Sequence, residues 1–252
     1  MAIMKMMRAA ATGLVLTFGA AFSAQAEDFS KPDIEKIVRE YLLANPELIQ
    51  EALVALEQKR RDEENVARAQ TIKSQSRILF DSVHQAELGN PKGDVTLVEF
   101  FDYNCGFCKR SFPDMVRLLE EDPNLRIVMK EFPVLGQGSV EAAQVSVAVQ
   151  QLAPEKYMDF HATMISQRGQ ASKAAALDVA EQIGMDRGEV EKLVNAAEIN
   201  IPIEEVYALA NGLGLTGTPS YVVGDEVVMG AVGFDALREK IQAYRQCGST
   251  TC

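Results

Sequence analysis

Four cysteines in two closely spaced pairs are the residues of this 252-residue chain whose type and spacing could do chemistry. Two residues separate Cys105 from Cys108, and four separate Cys247 from Cys252. A Cys-x-x-Cys pair can form and break a disulfide, hold half of a zinc site, or attach haem. Haem attachment requires a histidine directly after the second cysteine, where this chain has Lys109, so that alternative fails.

The zinc alternative requires two further ligands beside the first cysteine pair. Cys247 and Cys252 could supply them, but their four-residue spacer in a terminal tail is unusual for a structural zinc site. Two histidines are also too few to build a metal centre. Redox chemistry is therefore the favoured interpretation of the first pair. For Cys247 and Cys252 we predict a structural disulfide, with a second redox pair or metal capture as alternatives.

The segment before the first pair predicts a strand that leads at once into a helix. Residues 95–101 form a nearly continuous apolar and β-branched run, which is typical of a strand buried on both faces. The helix would run to about residue 120, with Cys105 in its first turn. Free backbone N–H groups and the helix dipole there favour a thiolate and lower its pKa. Cys108, one turn later, would resolve the mixed disulfide that Cys105 forms.

The rest of the pattern predicts one α+β domain over residues 81–252. A second strand at 125–132 completes a strand–helix–strand unit, which requires a right-handed crossover. An Ala-rich helical insertion follows over about 139–200. A hairpin that turns at Gly224-Asp225 and a final helix over about 234–245 complete the domain.

Residues 27–80 predict a helical oligomerisation arm and linker. The stretches 34–42 and 48–56 repeat their apolar residues with helical spacing, and a wholly polar run follows at 58–64. Such stripes must be covered, either by the main domain or by the same segment of another copy. We favour a homo-oligomer that forms through residues 30–60, because the polar run spaces the two helices from the rest of the chain.

The first 26 residues predict a secretory signal peptide. Lys5 and Arg8 provide the positive start, residues 9–22 carry no charge, and residues 24–26 (Ala-Gln-Ala) form a small-residue cleavage site. The apolar stretch is too short to span a membrane, and no later run approaches that length. Cleavage removes two positive charges and takes the net charge from −11 to −13 (−11 − 2). This acidic balance argues against nucleic-acid binding, and export permits disulfides.

Three features together resemble the DsbA-like branch of the thioredoxin superfamily. They are the run Glu-Phe-Phe-Asp-Tyr-Asn-Cys-Gly-Phe-Cys at residues 99–108, the Thr218-Pro219 pair, and the helical insertion between them. The resemblance covers about residues 85–246 and implies a thioredoxin fold with a helical insertion, preceded by the N-terminal helical arm. That arm is similar to the one in ScsC-type proteins, whose extra helices assemble the chains. The family also implies a periplasmic location and a membrane partner that resets the cysteine pair.

The resemblance assigns roles to residues of the site. Cys105 would be the nucleophile and Cys108 the resolving thiol, and Pro219 would be a cis-proline beside them. The backbone of Thr218 would pair with an extended substrate segment, a form of strand addition.

Glu99 matches the buried acid of the family, which handles the proton as Cys108 reacts. A glutamate inside an apolar strand is costly unless it is paired. Lys130, on the next strand, is therefore predicted to pair with Glu99.

Gly106 and Phe107, between the cysteines, bear on the direction of exchange and would contact substrate. The best-known oxidase of the family has Pro-His there, and without that histidine Cys105 should be less acidic and its disulfide less oxidising. Gly followed by an aromatic residue, with Thr218 before the proline, is similar to the disulfide isomerases. We predict an isomerase or reductase of exported proteins, with an oxidase as the alternative. A client-binding chaperone and a metal-sequestering protein are alternatives from other classes. No cofactor and no metal are predicted.

Overall fold

The computed structural model describes residues 30–252, and the chain divides into two compact units between Ala55 and Leu56. The helices are α1 (Lys31–Ala44), α2 (Glu47–Ser74), α3 (Ser76–Asp81), α4 (Gly106–Glu121), α5 (Gln137–Leu152), α6 (Tyr157–Ser166), α7 (Lys173–Gln182), α8 (Arg187–Val194), α9 (Ile201–Gly212) and α10 (Phe234–Cys247). The strands are β1 (Ala86–Gly89), β2 (Val95–Phe101), β3 (Leu125–Glu131), β4 (Ser220–Val223) and β5 (Glu226–Met229). The predicted signal peptide lies outside the described residues.

The N-terminal unit contains α1 and the start of α2. The carboxylate of Asp33 accepts a hydrogen bond from the backbone N–H of Ser30 at 3.2 Å, so this residue closes the first turn of α1 as its sequence indicates. The apolar stripe of α1 is present: Ile34 and Val38 are each 50% exposed. No residue of α1 is buried, which leaves this stripe available to a partner.

The polar run that we predicted as a spacer is helical. It lies inside α2, a helix of 28 residues that continues to Ser74. The C-terminal half of α2 belongs to the second unit. Ile72 is buried there, and the Thr71 hydroxyl donates to the carbonyl oxygen of Gly212 at 3.0 Å. Arg68 Nε donates to the carbonyl oxygen of Leu213 at 3.2 Å. The end of the predicted linker therefore packs against α9.

The five strands form one mixed sheet in the order β1-β3-β2-β4-β5. β2 and β3 are parallel, as the strand–helix–strand pattern predicts, and the other neighbours are antiparallel. β2 is the central strand, which explains why its sequence is apolar on both faces. β1 is not predicted from the sequence, because a strand of four residues is too short to show a clear alternation.

Alternate residues of β2 face two separate cores. Leu97 and Phe101 pack on one face with α4, α10 and the helices of the insertion. Val98 and Phe100 pack on the other face with the end of α2, α3 and α9. The sheet thus presents the C-terminal end of β2 to the start of α4, between two helical layers.

The predicted helical insertion is confirmed, and it contains α5 to α8 with two short 3₁₀ turns. The predicted hairpin is also confirmed, since β4 and β5 pair around Gly224 and Asp225. Gly224 has a φ of +58°, and a Cβ there would overlap the ring of Tyr244. Within residues 30–252, no helix has the length and apolar character needed to cross a membrane.

Candidate active site

Cys105 lies at the N-terminal cap of α4, directly beyond the central strand. Its Sγ accepts a hydrogen bond from the backbone N–H of Cys108 at 3.4 Å, and the thiol lies 3.1 Å from the carbonyl oxygen of Thr218. Both cysteines are free and buried, with exposed fractions of 4% for Cys105 and 2% for Cys108. The prediction that Cys105 lies at the start of a helix is confirmed, with Cys105 as the cap one residue before the first turn.

The surroundings of the two thiols separate their acidities. A hydrogen bond from the Cys108 thiol, another from the Thr218 side chain, and the backbone N–H groups of Cys108 and Phe107 lower the pKa of Cys105 to about 5, although burial opposes this. The same hydrogen bond to Cys105, together with burial, raises the pKa of Cys108 well above its ordinary value. At neutral pH the arrangement therefore provides one thiolate, at Cys105, and one thiol, at Cys108.

Alkylation of Cys105 should follow this lowered pKa. In the reduced native protein, we expect the rate with iodoacetamide to be nearly constant between about pH 6.5 and 8 and to fall as the pH drops through about 5. Because the pKa is lower in the folded state, the thiolate also stabilises the reduced fold above the ordinary pKa, and this contribution is lost as the pH falls through about 5. Mass spectrometry would identify the modified residue.

The unfolded protein is the matched control for this titration. In denaturant, the alkylation rate should rise through about pH 8.5, the ordinary value for a cysteine. A native thiol that titrates there as well would contradict an activated Cys105.

The predicted cis-proline is confirmed, because the Thr218–Pro219 peptide bond is cis. Pro219 is buried and Thr218 is half-buried beside Cys105. The carbonyl oxygen of Pro219 accepts from the backbone N–H of Gly230 at 2.9 Å, so the start of β4 is fixed next to the cysteine. This holds the half-buried Thr218 beside Cys105.

Glu99 lies on β2, on the face of the sheet that also packs against the cysteines. It is 4% exposed, and its Oε2 has no hydrogen-bond partner within residues 30–252. Burial and the charge of Cys105 raise the pKa of Glu99 to about 8, while a hydrogen bond with Tyr221 acts in the opposite direction. The predicted buried acid is thus next to the thiols.

The predicted pairing of Glu99 with Lys130 is wrong. In the parallel register Lys130 lies opposite Phe100 and not Glu99, so its side chain is on the other face of the sheet. Its Nζ donates to the carbonyl oxygen of Ile78 at 2.6 Å and to Oε1 of Gln85 at 2.9 Å. Burial lowers the pKa of Lys130 to about 8. Lys130 fastens α3 to the sheet and does not contact the candidate active site.

Gly106 and Phe107 are exposed at the mouth of the site. Phe107 is 58% exposed, and the guanidinium of Arg110 lies 4.3 Å from the centre of its ring. Exposed apolar side chains also lie on the two loops that hydrogen bonds attach to Asp102 and Pro219, among them Leu135 and Val232. The site therefore has an apolar rim around one activated sulfur.

Asp102 is a residue of the site whose role is not predicted from the sequence. It is 1% exposed, and one carboxylate oxygen accepts from the Asn104 backbone N–H and the Ser139 hydroxyl, each at 2.7 Å. The other accepts from the backbone N–H groups of Val134 and Leu135 at 2.8 and 3.0 Å. The pattern that could have identified it is a charged residue at the end of an apolar strand, three positions before the nucleophile.

Asn104 provides a second unpredicted link between the cysteine loop and the insertion. Its side-chain amide donates to the Ser139 hydroxyl at 3.0 Å and to the carbonyl oxygen of Ala171 at 3.1 Å. Its Oδ1 accepts from the Ala171 backbone N–H at 2.6 Å. Through Asp102 and Asn104, the helical insertion holds the loop that carries Cys105.

The predicted disulfide is present and joins Cys247, the last residue of α10, to Cys252 in the tail that follows, and both cysteines are exposed. Arg245, near this disulfide, contacts Asp94, which precedes β2, whereas Cys105 follows the other end of that strand. Seven residues of strand separate the two sites by about 20 Å. The structure thus does not bring the four cysteines together. Residues 30–252 also contain no cluster of three or more His, Cys, Asp or Glu side chains arranged for a metal.

Two family models match this chain. The model described as a DSBA-like thioredoxin domain matches residues 96–242, which is more than half of the chain. The model described as the copper resistance protein ScsC N-terminal domain matches residues 31–63.

Solved structures include similar chains. A thioredoxin-like oxidoreductase from Silicibacter pomeroyi DSS-3 is 38% identical with a TM-score of 0.65, and the match covers 68% of this chain and 98% of that one. Proteus mirabilis ScsC in a transitional conformation is 26% identical with a TM-score of 0.65, and the match covers 86% of this chain and 97% of that one.

Curated proteins also match. Disulfide bond formation protein D of Bacillus subtilis (strain 168) is 23% identical over 168 residues, which cover 63% of this chain and 76% of that protein. The Na(+)/H(+) antiporter NhaA 1 of Salinispora arenicola (strain CNS-205) is 24% identical over 151 residues, or 59% of this chain, and the chain spans 23% of that relative's length. The family match over more than half the chain, together with the 38% identical oxidoreductase, shows that this chain belongs to the DsbA-like thioredoxin-domain family.

Proposed function

We propose that this protein catalyses thiol–disulfide exchange on exported proteins, with Cys105 as the nucleophile and Cys108 as the resolving thiol. The proposal rests on the difference in acidity and position between the two sulfurs. Cys105 lies at the N-terminus of α4 with a pKa near 5, and Cys108 is a buried thiol three residues later. Membership of the DsbA-like thioredoxin-domain family supports this assignment.

The exchange proceeds by two displacements at sulfur. The Cys105 thiolate attacks one sulfur of a substrate disulfide, forms a mixed disulfide and releases the other substrate sulfur as a thiolate. Cys108 then loses its proton and attacks Sγ of Cys105, which releases the second substrate thiolate and leaves a Cys105–Cys108 disulfide. The substrate gains two electrons and the enzyme loses two. The reverse sequence oxidises a substrate dithiol.

Substrate binding is proposed at the rim formed by Phe107, Thr218 and the loops that carry Leu135 and Val232. Within residues 30–252, the backbone N–H of Thr218 makes no hydrogen bond, so an extended substrate segment could pair with it. The exposed apolar side chains of the rim suit unfolded or misfolded chains with cysteines. A membrane redox partner that resets the cysteine pair belongs to the same proposal.

For the direction of exchange we propose isomerase or reductase activity. The hydrogen bonds that lower the pKa of Cys105 stabilise its reduced form, and an isomerase must begin reduced. Gly106 and Phe107 occupy the positions between the cysteines without a histidine. The same stabilised thiolate also supports the oxidase alternative, because it makes the disulfide more oxidising, and one relative is named for disulfide formation.

The N-terminal unit is proposed to assemble the chains through residues 30–60. Its support is the exposed apolar stripe of α1, where Ile34 and Val38 are half exposed, and the match of residues 31–63 to the ScsC N-terminal domain. An assembly would place several Cys105 sites around one client. We also propose that residues 1–26 direct export to the periplasm and are removed.

Refolding of a substrate with scrambled disulfides tests the direction and the arm together. We expect the reduced full-length protein to restore native disulfides. Val38→Glu should dissociate the oligomer in light scattering, with at least a roughly hundredfold weaker self-association, because it places an unpaired charge in the interface. Isomerisation should then fall severalfold, while reduction of a simple peptide disulfide stays unchanged.

Gln50→Glu is the matched control, because it adds the same charge on the polar side of α2. It should leave both the assembly and the refolding yield unchanged. If the Val38→Glu monomer isomerises the substrate as fast as the wild type, the N-terminal arm has no part in the mechanism. If the wild type forms disulfides in a reduced substrate but does not restore native disulfides in a scrambled one, the oxidase alternative is correct.

A further inference from the structure

Within residues 30–252, Glu99 faces a tyrosine and no cation. β2 and β4 are antiparallel, and their register places Glu99 directly opposite Tyr221. Directly opposed residues lie on the same face of a sheet with their Cβ atoms about 5 Å apart. Tyr221 is 2% exposed and belongs to the same buried cluster as Cys105 and Cys108. The two side chains therefore share one closed space behind the thiols.

The groups around Glu99 come from three elements. β4 provides Tyr221, β3 provides the apolar Met129 in the opposite register position, and α4 provides the two thiols. Burial, the charge of Glu99 and then the charges of Cys108 and Asp114 raise the pKa of Tyr221 well above its ordinary value, while a hydrogen bond with Ser111 acts in the opposite direction. The Tyr221 hydroxyl therefore stays protonated and is a donor. The only cation on the adjacent part of β3, Lys130, lies on the other face of the sheet.

The charge on Cys105 changes during the reaction, and Glu99 responds to that charge. While Cys105 is a thiolate, burial and this negative charge favour the protonated form of Glu99. In the mixed disulfide Cys105 carries no charge, so one of the two causes is removed and the carboxylate becomes easier to form. That is the stage at which Cys108 must lose a proton. A neutral donor that holds the carboxylate there supports the transfer without a buried ion pair.

We propose that Tyr221 is a positioning residue, whose hydroxyl donates a hydrogen bond to the Glu99 carboxylate and holds it as the proton acceptor for Cys108. This inference rests on the proposed exchange reaction and assigns the partner of its buried acid. In the resolving step, the Sγ–H proton of Cys108 moves to the Glu99 carboxylate. The Cys108 thiolate forms the bond to Sγ of Cys105, and the bond from Cys105 to the substrate sulfur breaks with its electron pair. In the reverse direction, protonated Glu99 returns the proton to Cys108.

Tyr221→Phe in the full-length protein tests the proposal, because it removes the donor and keeps the ring. A fluorescent peptide disulfide is mixed with reduced protein, and quenched samples at about pH 5 to 9.5 give separate rates for the attack by Cys105 and for resolution of the mixed disulfide. We expect the attack to change by less than about twofold. Resolution should be about tenfold slower at low and neutral pH, as for a lost hydrogen bond to a charged group. Its midpoint should move up by about one pH unit, and its rate should rejoin that of the wild type at high pH.

Two further variants exclude a packing defect. Tyr244→Phe removes a phenol hydroxyl from α10 and should leave the pH profile of resolution unchanged. In the Glu99→Gln background, Tyr221→Phe should add no more than about a twofold effect, since both changes remove one interaction.

Three results would overturn the inference. If Tyr221→Phe resolves the mixed disulfide with the same pH midpoint as the wild type, the hydroxyl does not act on Glu99. A rate that is lowered equally at all pH values would assign Tyr221 a packing role alone. If the wild-type Cys105 does not attack the peptide at all, the proposed exchange reaction fails and this inference fails with it. Normal attack by the wild type, together with unaltered resolution in Tyr221→Phe, refutes only the role of Tyr221.

Discussion

Cys105→Ser should abolish thiol–disulfide exchange, with a loss of about a thousandfold or more. A serine hydroxyl does not ionise near neutral pH, so the hydrogen bonds that produce a thiolate at the start of α4 produce no nucleophile. Cys108→Ser should give a different result. The attack by Cys105 should persist, and the mixed disulfide with the substrate should accumulate because the resolving sulfur is absent.

Mass spectrometry of the two variants with a peptide disulfide gives the measurement. We expect a stable adduct at position 105 for Cys108→Ser and no adduct for Cys105→Ser. The adduct at Cys108 in the Cys105→Ser variant would reverse the assigned roles. Suppression of client aggregation is a second readout. If Cys105→Ser keeps all of the protein's effect on clients, the protein is a client-binding chaperone and the exchange proposal is wrong.

Asp102→Ala should lower the free energy of unfolding by about 3 kcal/mol. The buried carboxylate accepts four hydrogen bonds, two of them from the backbone N–H groups of Val134 and Leu135. Alanine leaves these donors without a partner and also releases the Ser139 hydroxyl. Because the same carboxylate holds the loop that leads to Cys105, exchange activity should fall as well.

Urea denaturation of the reduced proteins measures this effect, with Asp225→Ala as the control. Asp225 is exposed in the turn between β4 and β5, and its loss should change the free energy of unfolding by no more than about 0.5 kcal/mol. A similarly small change for Asp102→Ala would show that water replaces the carboxylate and that the loops do not depend on it.

The sequence by itself determined the parts of this protein that local patterns specify. The apolar run at 95–101 followed at once by the cysteines is sufficient to predict a central strand, a helix start and a Cys105 thiolate, because these depend on neighbouring residues and on the helix dipole. The helical insertion, the hairpin at Gly224 and the terminal disulfide also follow from local turn and helix-end residues and from the spacing of the cysteines. The apolar stripe of the arm could be predicted in the same way from its helical spacing, although the polar run after it is helical and not a flexible spacer.

Only the tertiary structure decided which side chain stands beside Glu99. A shift of one residue in strand register moves a side chain to the opposite face of the sheet, and no local pattern specifies the register between β2 and β3. The register places Lys130 on the face of α3, and the long-range pairing of β2 with β4 brings Tyr221 to the acid instead. The role of Asp102 could not be predicted for the same reason, since three of its four donors lie 32 to 37 residues away in the chain and meet it only in the fold.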